Sequence, residues 1–188
     1  IEKGSRFYQR LESKHFYQDG INYNYYDNFG LTDGIIENST GLKYIDHNAI
    51  LEGGFDAGNM NSLVIGQEQG DTYRLLKNLY TLTPEWIEHL GAKFVLFFEP
   101  HKNKTLHLYY DRAANNYNKA GKDFATQLKK AIEEDKDGKL TGWNVRLMSL
   151  NQGIITHFQE FDLMIQMMGE QNKLLPKLRI DQYQCREL

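Results

Sequence analysis

Cysteine is almost absent. Cys185 is the only one, so no internal disulfide can form and no second thiol exists for a zinc knuckle. An intracellular protein is expected on that ground. No apolar run approaches the roughly 20 residues that span a bilayer, and Ile1 to Leu11 are too polar for a signal peptide. The expected chain is therefore neither exported nor embedded. Positive charge is not in excess either: a net charge of -3 argues against a stand-alone DNA-binding module, whose affinity comes from many Lys and Arg contacts to phosphates. It leaves a nuclease open, because carboxylates that bind metal count as negative in the formal sum. The six histidines (His15, His47, His89, His101, His107, His157) include no close pair at ligand spacing, which speaks against zinc. No Gly-x-x-x-x-Gly-Lys-Ser/Thr loop is present, so the chain carries no ATPase of its own.

What is present fits one folded α/β domain. The 188 residues, 40% hydrophobic and 25% charged, suffice for a core of strands with helices packed on them. Residues 1–48 hold Tyr, Asn, Asp and Gly clusters and read as an arm or linker; Tyr8, Phe16, Tyr17, Tyr25 and Phe29 are numerous enough to dock it on the domain. From Ile50 the pattern changes. Residues 50–56, 62–67 and 72–79 read as strands, joined by links too short for a crossover helix, and so as an antiparallel meander. Thr83-Pro84-Glu85 has the signals of a helix start, and the helix should run toward Phe98, although residues 94–98 also fit a strand. A strand from Lys104 to Tyr110, a helix over 123–134, a strand over 143–150, a helix over 158–168, a short strand over 177–180 and a helix from Tyr183 complete the expectation. This is a mixed sheet, three antiparallel strands and then parallel ones, with helices on its faces.

Two acids stand at strand ends. Asp56 closes an apolar strand and is followed by Ala57-Gly58, and Asp111 closes another. If those strands are neighbours, the carboxylates meet. At about 4 Å apart they repel by roughly 4 kcal/mol at an effective dielectric near 20, and need a shared proton or a cation. Mg²⁺ or Mn²⁺ suits oxygen-only ligands, and two such ions can clamp an in-line phosphodiester displacement. Each aspartate taken alone is more often a turn or helix cap. Arg112 and Lys122 flank the second acid and are candidates for phosphate contact, whereas Lys129, Lys130 and Lys136 read as a solvated helix face. Strand alternation puts His107 on the face of Asp111, though a core or surface role is the commoner one. Met164, Met167 and Met168 follow helical spacing and read as core filler or a partner surface.

The runs Glu52-Gly53-Gly54-Phe55-Asp56-Ala57-Gly58 and Leu106-His107-Leu108-Tyr109-Tyr110-Asp111-Arg112-Ala113-Ala114, with the tail from Leu178 to Leu188, resemble the nuclease domain of the large terminase subunit of tailed bacteriophages. The resemblance covers about residues 45–188. It implies an RNase H-like fold with helices on both faces of the sheet, whose first and fourth strands each supply a metal-binding acid. Asp56 and Asp111 then carry over as catalytic metal ligands for Mg²⁺ or Mn²⁺. The family's third acid lies on a later helix, so residues 49–188 are expected to be truncated at the C-terminus; Asp181 is the only late candidate. The implied activity is cutting of double-stranded viral DNA during genome packaging, in the cytoplasm of the bacterial host. The implied partners are the ATPase domain of the same polypeptide, the small terminase subunit and the portal. Alternatives are another RNase H-like enzyme, such as a junction resolvase or transposase, and a catalytically silent interaction module in which both aspartates are caps.

Overall fold

The computed structural model describes residues 10–22, 36–58, 60–111, 123–149 and 157–186, with only the backbone at 157 and 158. Its strands are β1 (Phe16–Tyr17), β2 (Leu51–Asp56), β3 (Met60–Gln69), β4 (Thr72–Leu82), β5 (Thr105–Tyr110), β6 (Asn144–Leu147) and β7 (Lys177–Asp181). The helices among the described residues are α1 (Ile87–Phe97), α2 (Phe124–Glu133) and α3 (His157–Gly169). The strands form one sheet in the order β1-β7-β4-β3-β2-β5-β6. β2, β3 and β4 are the expected antiparallel meander, while β5 pairs parallel with β2, β6 with β5, and β7 with β4.

Local sequence accounts for most of these elements. Gly70-Asp71 is a two-residue hairpin loop, and Gly70 takes the positive φ of 65° that such a turn needs at its first position. α2 starts at Asp123, whose Oδ1 accepts the Thr126 N–H at 2.6 Å. The start of α1 differs from expectation. The β3–β4 ladder continues to Met60↔Leu82, the Thr83–Pro84 peptide is cis, and the helix begins at Ile87 after Trp86, whose N–H donates to His89 Nδ1 at 3.0 Å. Residues 94–97 are helical, which settles the helix-or-strand question there. β6 ends at Leu147, short of the expected strand, and Leu150 lies outside the described residues. Residues 182–186 are turns with one helix-like bond, Cys185 N–H to the Asp181 carbonyl at 3.0 Å, in place of a helix.

The two faces of the sheet are covered separately. Leu90, Phe94 and Phe97 of α1 and Leu128 and Ile132 of α2 are buried against Leu51, Phe55, Leu63, Ile65, Leu106 and Leu108. On the other face Met168 of α3, with Met164 and Met167 partly buried, packs on Leu75, Leu178 and Ile180. The methionines are thus core filler there. Leu76 belongs to the first cluster and its neighbour Leu75 to the second, as strand alternation requires. α3 lies against β7 on that face.

The edge strand β6 is closed by α2. Glu133 Oε1 accepts the Val145 N–H at 2.8 Å and Lys129 Nζ donates to the Val145 carbonyl at 2.6 Å, so the outward backbone groups are satisfied by side chains. Lys129 is therefore not part of a solvated face, as expected from sequence; it is half-buried at the sheet edge. Within the expected arm, β1 adds a parallel strand to β7, and Ile21 bridges to Leu42. Of the arm's aromatics, Tyr8, Tyr25 and Phe29 lie outside the described residues.

Candidate active site

Register brings the two acids to the same end of the sheet. The β2–β5 ladder pairs Leu51 with Leu106 and ends on Phe55 with Tyr110, so Asp56, the last residue of β2, and Asp111, the first residue past β5, follow that last pair on adjacent parallel strands. Leu51, Gly53 and Phe55 are buried on the face under α1 and α2, so Glu52, Gly54 and Asp56 point to the opposite face. Leu106 and Leu108 are likewise buried, which sends His107, Tyr109 and Asp111 to that same face. Both aspartates are exposed.

The surroundings hold this end of the sheet. Ser62 of β3 lies opposite Asp56, and its hydroxyl donates to Asn78 Oδ1 of β4 at 2.9 Å. The Tyr110 N–H, one residue before Asp111, donates to Ser149 Oγ at 2.9 Å, and Ser149 is buried. That bond fixes the backbone from which Asp111 projects. Gly54 sits between Glu52 and Asp56 with open space where a side chain would stand, so a ligand can approach the backbone closely there. Further along the strip, Tyr109 Oη lies 3.4 Å from Glu52 Oε1, and burial followed by the Glu52 charge raises the pKa of both Tyr109 and Tyr73. Alternation alone could have put Glu52 and Tyr109 on this face. Nothing local marks Ser149, whose role depends on β6 lying beside β5.

The donor set fits a hard divalent cation that shares its coordination with water and substrate. Two adjacent carboxylates are what Mg²⁺ commonly takes from a protein, the rest of its sphere being completed by waters and phosphate oxygens. Among the described residues no group of three or more His, Cys, Asp or Glu is disposed to hold a metal ion. Arg112 and Lys122 lie outside the described residues.

Asp181 is elsewhere. β7 is three strands from β2, and the β4–β7 register places Asp181 beside Leu76, four residues short of Tyr80, the position that lines up with Asp56 through Ser62. It is buried, and its Oδ1 accepts the N–H groups of Tyr183 and Gln184 at 3.0 Å each, so it caps the closing turn. Burial raises its pKa against the lowering effect of those bonds. Asp181 does not join the two acids.

The histidines divide in the same way. His107 lies beside Glu52 on β5, four residues from Asp111 along the chain. His47 and His101 meet at the other end of the strands, with ring centroids 5.4 Å apart. His101 is buried, stacks on Trp143 and has Nε2 2.9 Å from the Ala49 carbonyl. Burial pushes its pKa down to about 4. The unfolded chain holds this proton more tightly, with a pKa of about 6.5, so the stabilisation is complete above that pH and is lost as pH falls through the folded value. Urea unfolding followed from pH 7.5 to 4 should show stability falling by at most about 1.4 kcal/mol per pH unit from this group. His101→Gln should flatten that slope; an unchanged slope would remove His101 as its source.

No family model, no curated protein and no solved structure matches the chain.

Proposed function

We propose that the chain is a divalent-metal-dependent DNA endonuclease of the RNase H-like kind, with Asp56 and Asp111 as its metal ligands. The observation that supports this reading is the β2–β5 register, whose last pair, Phe55 with Tyr110, is followed directly by the two exposed aspartates. The topology supports it as well. Counted from β2, Asp56 ends the first strand and Asp111 follows the fourth, which comes after the antiparallel meander and lies parallel beside the first, as the terminase resemblance implies.

When bound, Mg²⁺ or Mn²⁺ would activate water and neutralise charge developing on the phosphodiester. The chain's own contributions are more modest. Asp56 and Asp111 would hold the cation at the end of β2 and β5. Ser149 keeps the Asp111 backbone in register by accepting the Tyr110 N–H. Gly54 leaves the sheet surface low enough for a sugar-phosphate backbone to cross beside Asp56. Asp56 and Asp111 would supply only part of a cation's donor set, so cation binding and DNA binding should reinforce one another.

The finer reading is a terminase large-subunit nuclease domain that cuts double-stranded viral DNA during packaging in the cytoplasm of a bacterial host. Its ATPase domain, a small terminase subunit and a portal would be its partners, and those would supply most of the grip on DNA.

Supercoiled plasmid incubated with the chain in Mn²⁺, Mg²⁺ or EDTA tests the activity. Nicking and linearisation are expected with either metal and none with EDTA. A folded chain that neither nicks plasmid nor releases heat on Mn²⁺ titration would overturn the reading in favour of an interaction module.

A further inference from the structure

The outward side of the helical layer contains a groove unrelated to the two acids. α1 and α2 turn Leu90, Phe94, Leu128 and Ile132 to the sheet, and between their other faces lies a solvent-open cavity of about 900 Å³. Ala92, Val95 and Leu96 of α1 form one wall, and Thr126, Gln127 and Ala131 of α2 the other. The helices approach closely at Gly91, where an added Cβ would lie 2.6 Å from the Cβ of Ala131, one of the residues that line the groove. Leu96 remains 74% exposed on its wall. An apolar surface of this size with a polar rim is the usual form of a docking site.

The rim decides what docks. It carries four carboxylates, Glu88, Glu99, Glu134 and Asp135, against two ammonium groups, Lys130 and Lys136. Lys130 lies 3.8 Å from Glu134, so its charge is largely matched within the rim. Asp135 is held in place by accepting the N–H groups of Asp137 and Lys139 at 2.9 Å, bonds that leave its negative charge uncancelled. The walls, helices of 11 and 10 residues, run for about 15 Å, the length of roughly three helical turns. We propose that this groove docks an amphipathic helix of a partner protein, with large aliphatic residues at i, i+3 or i+4 and i+7 on its buried side and Lys or Arg along its flanks. The apolar stripe enters between Leu96 and Ala131, and the flanking cations reach Glu88 and Asp135. A helix with acidic flanks is disfavoured by the same rim, whose carboxylates outnumber its ammonium groups.

The test uses the full chain and two fluorescein-labelled synthetic helices of about three turns, one built from Leu and Lys and one from Leu and Glu in the same pattern. Fluorescence anisotropy should show saturable binding of the Leu/Lys helix and none of the Leu/Glu helix. Leu96→Glu should weaken the Leu/Lys helix at least about tenfold. Leu174→Glu, at a residue 92% exposed away from the groove, should leave it unchanged. The paired reversal Glu88→Lys with Asp135→Lys should shift the preference toward the Leu/Glu helix. Equal weakening by Leu96→Glu and Leu174→Glu, or equal binding of both helices to the unaltered chain, would overturn the proposal. So would indifference to Leu96→Glu in a variant whose circular dichroism matches the parent.

Discussion

Asp56→Asn and Asp111→Asn are each expected to lower metal-dependent plasmid nicking on the order of a hundred- to a thousandfold, about 3–4 kcal/mol of lost transition-state stabilisation. Asparagine keeps an oxygen but removes the charge that would hold a hard cation, and among the described residues only two acids come to this end of β2 and β5. Losing either one removes half of the anionic donor set. The expected cost in stability is small, because both residues are exposed and substitutions at such positions fall within about 0.5 kcal/mol. For a chain of this size that is a shift of about 2 °C or less in Tm. Mn²⁺ affinity, read by calorimetry without DNA, should fall in parallel with nicking. The double variant should be scarcely worse than either single one, since the two groups act as a unit. The capping alternative predicts the reverse pattern, a loss of about 1 kcal/mol in stability with metal response untouched. Asp181→Asn separates the roles from the other side: its effect belongs in stability, through the turn it caps, and not in metal binding.

Gly91→Val should destabilise the fold by about 3 kcal/mol or more. A Cβ at this position would stand 2.6 Å from the Ala131 Cβ and 2.8 Å from the Ala131 carbonyl carbon and oxygen. Two of those three atoms are backbone, so no rotamer change relieves the contact. α1 and α2 would have to separate, drawing Leu90, Phe94, Leu128 and Ile132 away from the sheet. Valine's better helix propensity returns less than about 1 kcal/mol. A fall in Tm of about 6 °C or more is the expected reading. Gly54→Ala is the control, because nothing lies within 4 Å of its added Cβ; it should leave stability nearly unchanged. If Gly91→Val proved as mild as the control, the close crossing of α1 and α2 would be wrong.

Much of the fold was legible because its signals are local. The alternation in 50–56 and 104–110, the short links of the meander and the helical spacing over 123–134 each report on a few neighbouring residues, and each was read correctly. Misreadings arose where a long-range contact overrode a local signal. Thr83-Pro84-Glu85 looks like a helix start, yet β4 is held in its ladder by β3 as far as Leu82, and the helix waits until Ile87. Lys129 looks like one of several surface lysines, yet its place on α2 brings it to the unpaired edge of β6.

The sequence by itself determined that Asp56 and Asp111 end strands, and the two-residue period of a strand determined that each points away from its apolar neighbours. It could not determine that they come to the same end of the sheet. That required β5 to pair with β2 in the register Phe55↔Tyr110 and in parallel, a choice made by the crossover through α1 and by the closing of the core over both strands. The same choice brought Ser149 to the Tyr110 N–H and removed Asp181 to a distant part of the sheet. Side-chain direction is a local property of backbone geometry, whereas strand neighbourhood is set by packing between residues far apart in the chain. The juxtaposition of the two aspartates exists only at that second level.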